Sequence, residues 1–205
     1  MKYLIIIGAG NVGGFLALNQ DLFEEKYEIL GFLDDDPTKQ GKQFWNIPVL
    51  GRIDDIAKFS NCSVAVGISN PLVKKKVLER IGESHDFPSF ISKNSWISNK
   101  VKLGRGIIIY PNVSVNHETV IEDFVIINMN CAIGHDNTIK TCASLAPGVN
   151  FGGFTTVGAY ADIGIGACTI QQIKIGEGAV IGGQTMLLSD VEPYSTYVGV
   201  PGRKV

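Results

Sequence analysis

The chain holds three histidines, His85, His117 and His135, and His135 is followed directly by a carboxylate, Asp136. An imidazole exchanges protons near neutral pH, and an adjacent acid can orient it and raise its basicity. Eighteen residues after His135 comes Gly153, and eighteen before it comes His117. A general base beside a backbone N–H that no side chain shields is the pair that thioester aminolysis requires. The base takes the proton of the amine. The N–H steadies the oxyanion, an effect of about 3–4 kcal/mol in hydrolases. Each residue also has a plainer use. His135 can be a turn residue capped by Asp136. His117, in VNHET, can be a turn residue or a substrate contact. His85, in ESHDFP, reads as a surface-loop residue.

A six-residue period positions these groups. From Ile91 to Glu192 the chain divides into seventeen hexads without a slip of register. The first position is apolar in every hexad except at Thr169. The fifth is small or β-branched almost throughout, as at Val101, Val113, Val125, Ala143, Ala161, Ala167 and Ala179. A hexapeptide period signals a parallel β-helix. Each hexad supplies a short strand and a turn, three make one coil, and only stacked coils bury the apolar positions. Adjacent coils lie about 4.8 Å apart, so His117, His135 and Gly153 stack along one edge. Asn137, in the His135 hexad, breaks the small-apolar rule. Two polar anomalies in one turn hint at function, because packing has been given up there.

Ahead of the repeats, KYLIII predicts a buried strand. Gly8, Gly10 and Gly13 then fit GxGxxG, and a helical pattern runs through Phe15, Leu16, Leu18 and Leu22. A second strand, EILGFLD, ends at Asp34 and Asp35, near the Rossmann spacing. Such glycines let N–H groups approach a phosphate at a helix N-terminus; the same motif can be a tight turn with no ligand. A loop, DPTKQGKQFWNIPVLG, follows, then a short helix near Ile53–Phe59, a strand SVAVGI ending at Gly67, and a helix from about Pro71 to Gly82. Lys74, Lys75 and Lys76 read as a solvated helix face. One mononucleotide-binding half fits in this length, whereas a dinucleotide fold needs two, so NAD is disfavoured. The expected domains are 1–90 and 91–205.

Charged residues make up 19 % of the chain and the net charge is −2, with no basic cluster suited to nucleic acid. No stretch is expected to span a bilayer, and the apolar start is too short for a signal peptide. Cys62, Cys131, Cys142 and Cys168 lack CxxC spacing, which fits reduced thiols in the cytoplasm. No histidine–cysteine set has metal-ligand spacing, so no metal is expected.

The FxDDDPxKxG…PVLG stretch, the AVGxxNP segment and the hexads, in that order, resemble the bacterial sugar acetyltransferases. These include the sialic acid O-acetyltransferase type and the N-acetyltransferases of nucleotide-linked bacillosamine or perosamine precursors. The resemblance covers essentially the whole chain. It implies an α/β Rossmann-like domain followed by an all-β left-handed parallel β-helix. It implies acetyl-CoA as acetyl donor, and transfer to the amino group of a nucleotide-linked sugar in a ternary complex. The alternatives are O-acetylation of a sialic acid or related sugar, and a non-catalytic nucleotide-sugar-binding protein. Carried over by position, His135 is the general base with Asp136 orienting it. Ser144, Gly153, Ile165 and Gly183 lie along the acetyl-CoA site, with the C-terminal VGVPGR. Gly8, Ala9, Gly10, Asn11, Asp34, Asp35, Gly67, Asn128 and His117 face the substrate. Relatives often carry Gly-His where this chain has Asn11-Val12, and a second His at Ser144. The resemblance also implies a homotrimer, with Phe124, Met129 and Tyr160 expected to line contacts between copies.

Overall fold

The computed structural model describes residues 2–82 and 84–205. It opens with strand β1 (Lys2–Ile7), helix α1 (Asn11–Leu18) and strand β2 (Tyr27–Leu33). A hairpin of β3 (Gln43–Phe44) and β4 (Ile47–Gly51) follows, then β5 (Ser63–Val66) and helix α2 (Pro71–Ile81). The sheet order is β3-β4-β2-β1-β5, parallel except within the hairpin. The stretch expected to be a loop thus holds two strands. Trp45 and Asn46 turn the hairpin with φ of 53° and 64°, as a type I′ turn requires. Val49 is buried, and Phe44 and Ile47 pack on the same core, which supplies the stability that the turn residues do not announce.

Gly13 explains the tight βα turn. A Cβ there would lie 2.1 Å from the Gly8 carbonyl oxygen, and one at Gly67 would lie 2.8 Å from Gly13 Cα. Bare backbone on both sides lets the start of α1 pass the ends of β1 and β5. Helix α2 starts with Pro71 at its first position, and the Asn70 side chain accepts from Val73 N at 3.0 Å, a pairing suited to an N-terminus.

From Phe90 the chain winds into a left-handed parallel β-helix of two-residue strands on three walls. The first wall runs from Phe90–Ile91 through Ile108–Ile109, Ile126–Ile127, Ser144–Leu145, Asp162–Ile163 and Val180–Ile181 to Thr196–Val198. The second runs from Trp96–Ile97 to Met186–Leu187, and the third from Lys102–Leu103 to Lys174–Ile175. Pairing partners are eighteen residues apart, as at Ser114↔Ala132 and Ala132↔Asn150, until the last coil, where Val180 pairs with Thr196, sixteen residues on. First and fifth hexad positions fill the interior. Fourth positions turn the corners in the left-handed region, including Asn112, Asn130 and Asp136. Gly and Asn/Asp are the residues that tolerate it best, and the corners also hold Phe124, Cys142, Phe154 and Tyr160 there.

The outer face of the first wall is covered. Phe90, Ile108, Tyr110 and Ile126 share one core with Leu4, Ile6, Leu16 and Phe32, and the Phe15 and Tyr110 rings stack with centroids 3.8 Å apart. The lysine run is not a solvated face at its first member. Lys74 is 1 % exposed, and its ammonium donates to the Phe124 carbonyl at 2.8 Å. It shares a helix face with Val77 and Ile81, which face the β-helix beside it. Burial pushes the Lys74 pKa down to about 8. Phe124 and Tyr160 pack here as well, Tyr160 beneath the Lys75 ammonium. They line the junction with the α/β region rather than contacts between copies. Met129 remains exposed.

Candidate active site

His135 occupies the corner between the second and third walls, after Ala132–Ile133 and before Thr138–Ile139. Its carbonyl accepts from Phe154 N at 3.0 Å, and Asp136 N donates to the His117 carbonyl at 3.0 Å. Three successive coils are thereby tied along one edge. The His117 and His135 rings stack, 5.4 Å between centroids and 16° between planes, and Phe154 meets His135 edge-on at 5.1 Å. His135 Nδ1 lies 2.7 Å from Asp136 Oδ2, with the imidazole 42 % exposed. A carboxylate only accepts, so Nδ1 carries the hydrogen and Nε2 is left with its lone pair. Asp136 can reach back to its neighbour because it sits at the left-handed corner position, φ 55°.

Gly153 lies directly over this ring. A Cβ built on it would be 2.8 Å from His135 Cε1 and 2.8 Å from Nε2. Its carbonyl accepts from Gln172 N; among the described residues its N–H has no acceptor. The half-exposed imidazole, with its Nε2 lone pair, and the buried Gly153 backbone therefore stand against each other at one edge.

The other residues expected at the acetyl-CoA site divide. Ile165 and Gly183 follow the first wall, on the corner that also carries Asn128 two coils away; Gln184 N donates to the Ile165 carbonyl at 2.7 Å. Ile165 is 60 % exposed. The C-terminal VGVPGR caps this corner, where Met186 N donates to the Gly199 carbonyl. In one chain that corner and the His135 corner are separated by the second wall. Asn128 turns inward on its own loop, its Oδ1 accepting from Met129 N at 2.9 Å. Ser144 is corrected. It is buried beneath the α/β region, its hydroxyl bonded to the Ser69 carbonyl and 3.5 Å from the Lys74 ammonium. No surface is left there for a cofactor.

In the α/β region, Gly8, Ala9, Gly10 and Asn11 form the turn into α1. Gly10 is the N-cap, with no side-chain cap and no acid in the first turn. A Cβ on Gly10 would meet nothing within 4 Å, so this turn faces open space. Asp34 is engaged by the fold: its carboxylate accepts from Ala9 N at 2.9 Å and from Lys39 at 2.8 Å. Asp35 accepts from Ile53 N at 3.1 Å and pairs with Arg80, whose guanidinium holds the Asp35 carboxyl below the usual range. Gly67 packs against Gly13. Phe154 and Trp45 were not expected near either site. The Trp45 indole lies against Gly14 at the side of α1. Neither position carries a periodic signal, since both are turn residues whose side chains reach sideways.

Among the described residues no helix is long and apolar enough to cross a membrane. Residues 3–81 match the model of the PglD N-terminal domain. A GDP-perosamine N-acetyltransferase of Escherichia coli is 28 % identical over 98 % of this chain and 95 % of its own. A serine acetyltransferase of Bacillus subtilis is 33 % identical over 53 % of this chain, which spans about half, 52 %, of that relative's length. The acetyltransferase domain of PglB from Neisseria gonorrhoeae, solved with acetyl coenzyme A, superposes with a TM-score of 0.90 at 26 % identity, covering 100 % of this chain and 99 % of that one. Residues 3–81 thus match a PglD N-terminal domain, and the chain as a whole is similar to acetyltransferases of the hexapeptide type.

Proposed function

We propose that this chain transfers the acetyl group of acetyl-CoA to the amino group of a nucleotide-linked amino sugar. The observation that carries the reading is His135, its Nδ1 held by Asp136, set against the Gly153 backbone one coil above, whose N–H has no acceptor among the described residues. His135 accepts the proton as the amine nitrogen attacks the thioester carbon. The Gly153 N–H supports the oxyanion. The departing thiolate takes the proton back from the imidazolium, so no acetyl-enzyme forms. Asp136 holds the ring and its tautomer. Residues 1–90 are assigned to the nucleotide, at the open turn of Gly8 to Asn11, and residues 91–205 to acetyl transfer. The acceptor class is supported by the likeness to the perosamine enzyme along nearly the whole chain. Thiol release from acetyl-CoA, screened against UDP-, GDP- and dTDP-linked amino sugars and free sialic acid, tests this. Turnover with a nucleotide-linked amine is expected. Turnover with sialic acid alone contradicts it.

The active assembly is proposed to be a homotrimer. Ile165, Gly183 and Asn128 cannot approach His135 within one chain, because they follow a different wall. A neighbouring copy set edge to edge would close the gap, and Met129, Ile165, Trp96 and Phe154 offer exposed apolar surface for it. Light scattering at micromolar concentration should read a trimer. A monomer that turns over substrate contradicts the shared site.

A further inference from the structure

Resting on the proposed function, we infer that Asn137, acting with Thr119, Thr155 and Thr169, is a positioning residue that fixes His135 and Gly153 relative to each other. The interior of the β-helix is apolar along nearly all of its length. At the His135 edge the fifth-position column reads Val101, Thr119, Asn137, Thr155, Ile173. It is polar only at the three levels that carry His117, His135 and Gly153. The single polar first position, Thr169, comes to the same place. Asn137 is 1 % exposed, and Thr119 and Thr155 are fully buried.

The bonds run to the residues immediately before the two that matter. Thr119 Oγ1 donates to the Gly134 carbonyl at 2.9 Å, and Asn137 Nδ2 donates to the same oxygen at 3.0 Å. Asn137 Oδ1 accepts from Thr155 N, in the next coil. Thr155 Oγ1 donates to the Gly152 carbonyl at 2.9 Å, and Gly152 N donates to Thr169 Oγ1 at 3.2 Å. Thr169 is 3.1 Å from Thr155 Oγ1. Only one assignment of hydrogens satisfies the set. Thr155 spends its hydrogen on Gly152, so Thr169 donates to Thr155. Thr119 spends its own on Gly134 and accepts from Asn137 N at 3.3 Å. A flipped Asn137 amide would set donor against donor at Thr155 N, so its orientation is fixed. Gly134 precedes His135 and Gly152 precedes Gly153, and the Asn137 side chain is the tie between their two levels.

Stability alone does not call for this arrangement, since apolar groups of the same shape serve the other coils. Asn137→Thr should preserve it. A threonine there would donate to Gly134 as Thr155 does to Gly152, and accept from Thr155 N as Thr119 accepts from Asn137 N. Asn137→Val matches Val101, two coils below in the same column, but makes neither bond.

The test is steady-state kinetics of both variants, with thermal melts to confirm folding. A second readout is the rate at which diethyl pyrocarbonate modifies His135 without substrates, followed by mass spectrometry. Asn137→Val is expected to lose about 10–100-fold in kcat, with little change in KM for acetyl-CoA, and to modify His135 several-fold faster. Asn137→Thr is expected to restore both. Thr169→Val, isosteric and matched to every other first position, is expected to lose about tenfold in kcat and decides the matter if Asn137→Val does not fold. Wild-type kcat and modification rate in Asn137→Val, or equal losses in Asn137→Thr, overturn the inference, as does wild-type kcat in Thr169→Val. If the wild-type chain transfers no acetyl group, the proposed function fails, and the modification rates alone decide the positioning role.

Discussion

His135→Ala is expected to lose about 10²–10⁴ in turnover, the usual worth of a positioned base. The expected loss falls on kcat. The alanine keeps the corner, since the backbone bonds from Phe154 N to His135 O and from Asp136 N to His117 O do not involve the ring. Ile165, Gly183 and the C-terminal segment lie on another corner, so the affinity for acetyl-CoA should survive. Asp136→Asn should cost less than the histidine deletion, because it removes the charge and the fixed tautomer but leaves the imidazole. If His135→Ala keeps near wild-type turnover at saturation, the base is elsewhere. His117, stacked one coil below, is then the next residue to change.

The second large effect is expected at Gly153. In Gly153→Ala the new methyl group would meet the His135 ring at 2.8 Å, closer than real Cβ contacts allow. The obstruction is the movable end of a side chain, so the ring swings and the fold holds. The imidazole then loses its place beside the amide, and a displacement of about 1 Å can cost about 100-fold in rate. Gly152→Ala makes the contrast. Its Cβ would lie 2.7 Å from Gln171 N and 2.8 Å from the Ile170 carbonyl carbon, which are backbone and cannot yield. That variant should lower the melting temperature, whereas Gly153→Ala should melt as the wild type does while losing turnover. Equal melting and equal turnover in Gly153→Ala would mean that the amide takes no part.

The period made much of this legible. Because three hexads close a coil, eighteen-residue arithmetic places His117, His135 and Gly153 on one edge before any coordinates are known, and the contact between Gly153 and the His135 ring follows. The same arithmetic says nothing of what lies against the outside of a wall. Ser144 is a sixth-position residue and does face outward, but on the wall that the α/β region covers, so the period alone could not separate a cofactor contact from a buried junction. A signal was available, since Ile108 and Ile126 are consecutive apolar outward positions on that wall. Lys74 was misread for the same reason: three lysines in a row look solvated until α2 is known to lie against the β-helix. The hairpin of Gln43 to Gly51 was hidden because Trp45-Asn46 lacks the usual glycine of a two-residue turn. Asn137 and Thr169 stood out as separate breaks in the pattern. Only the coil geometry shows that two positions so far apart in sequence are one buried network.

The most direct measurement is product analysis with the nucleotide-linked amino sugar that releases thiol fastest. The account predicts that mass spectrometry finds the acetyl group as an amide on the sugar nitrogen, one per thiol released, with the wild-type chain and almost none with His135→Ala. An acetyl ester on a hydroxyl, or amide formed as fast by His135→Ala as by the wild type, would contradict it.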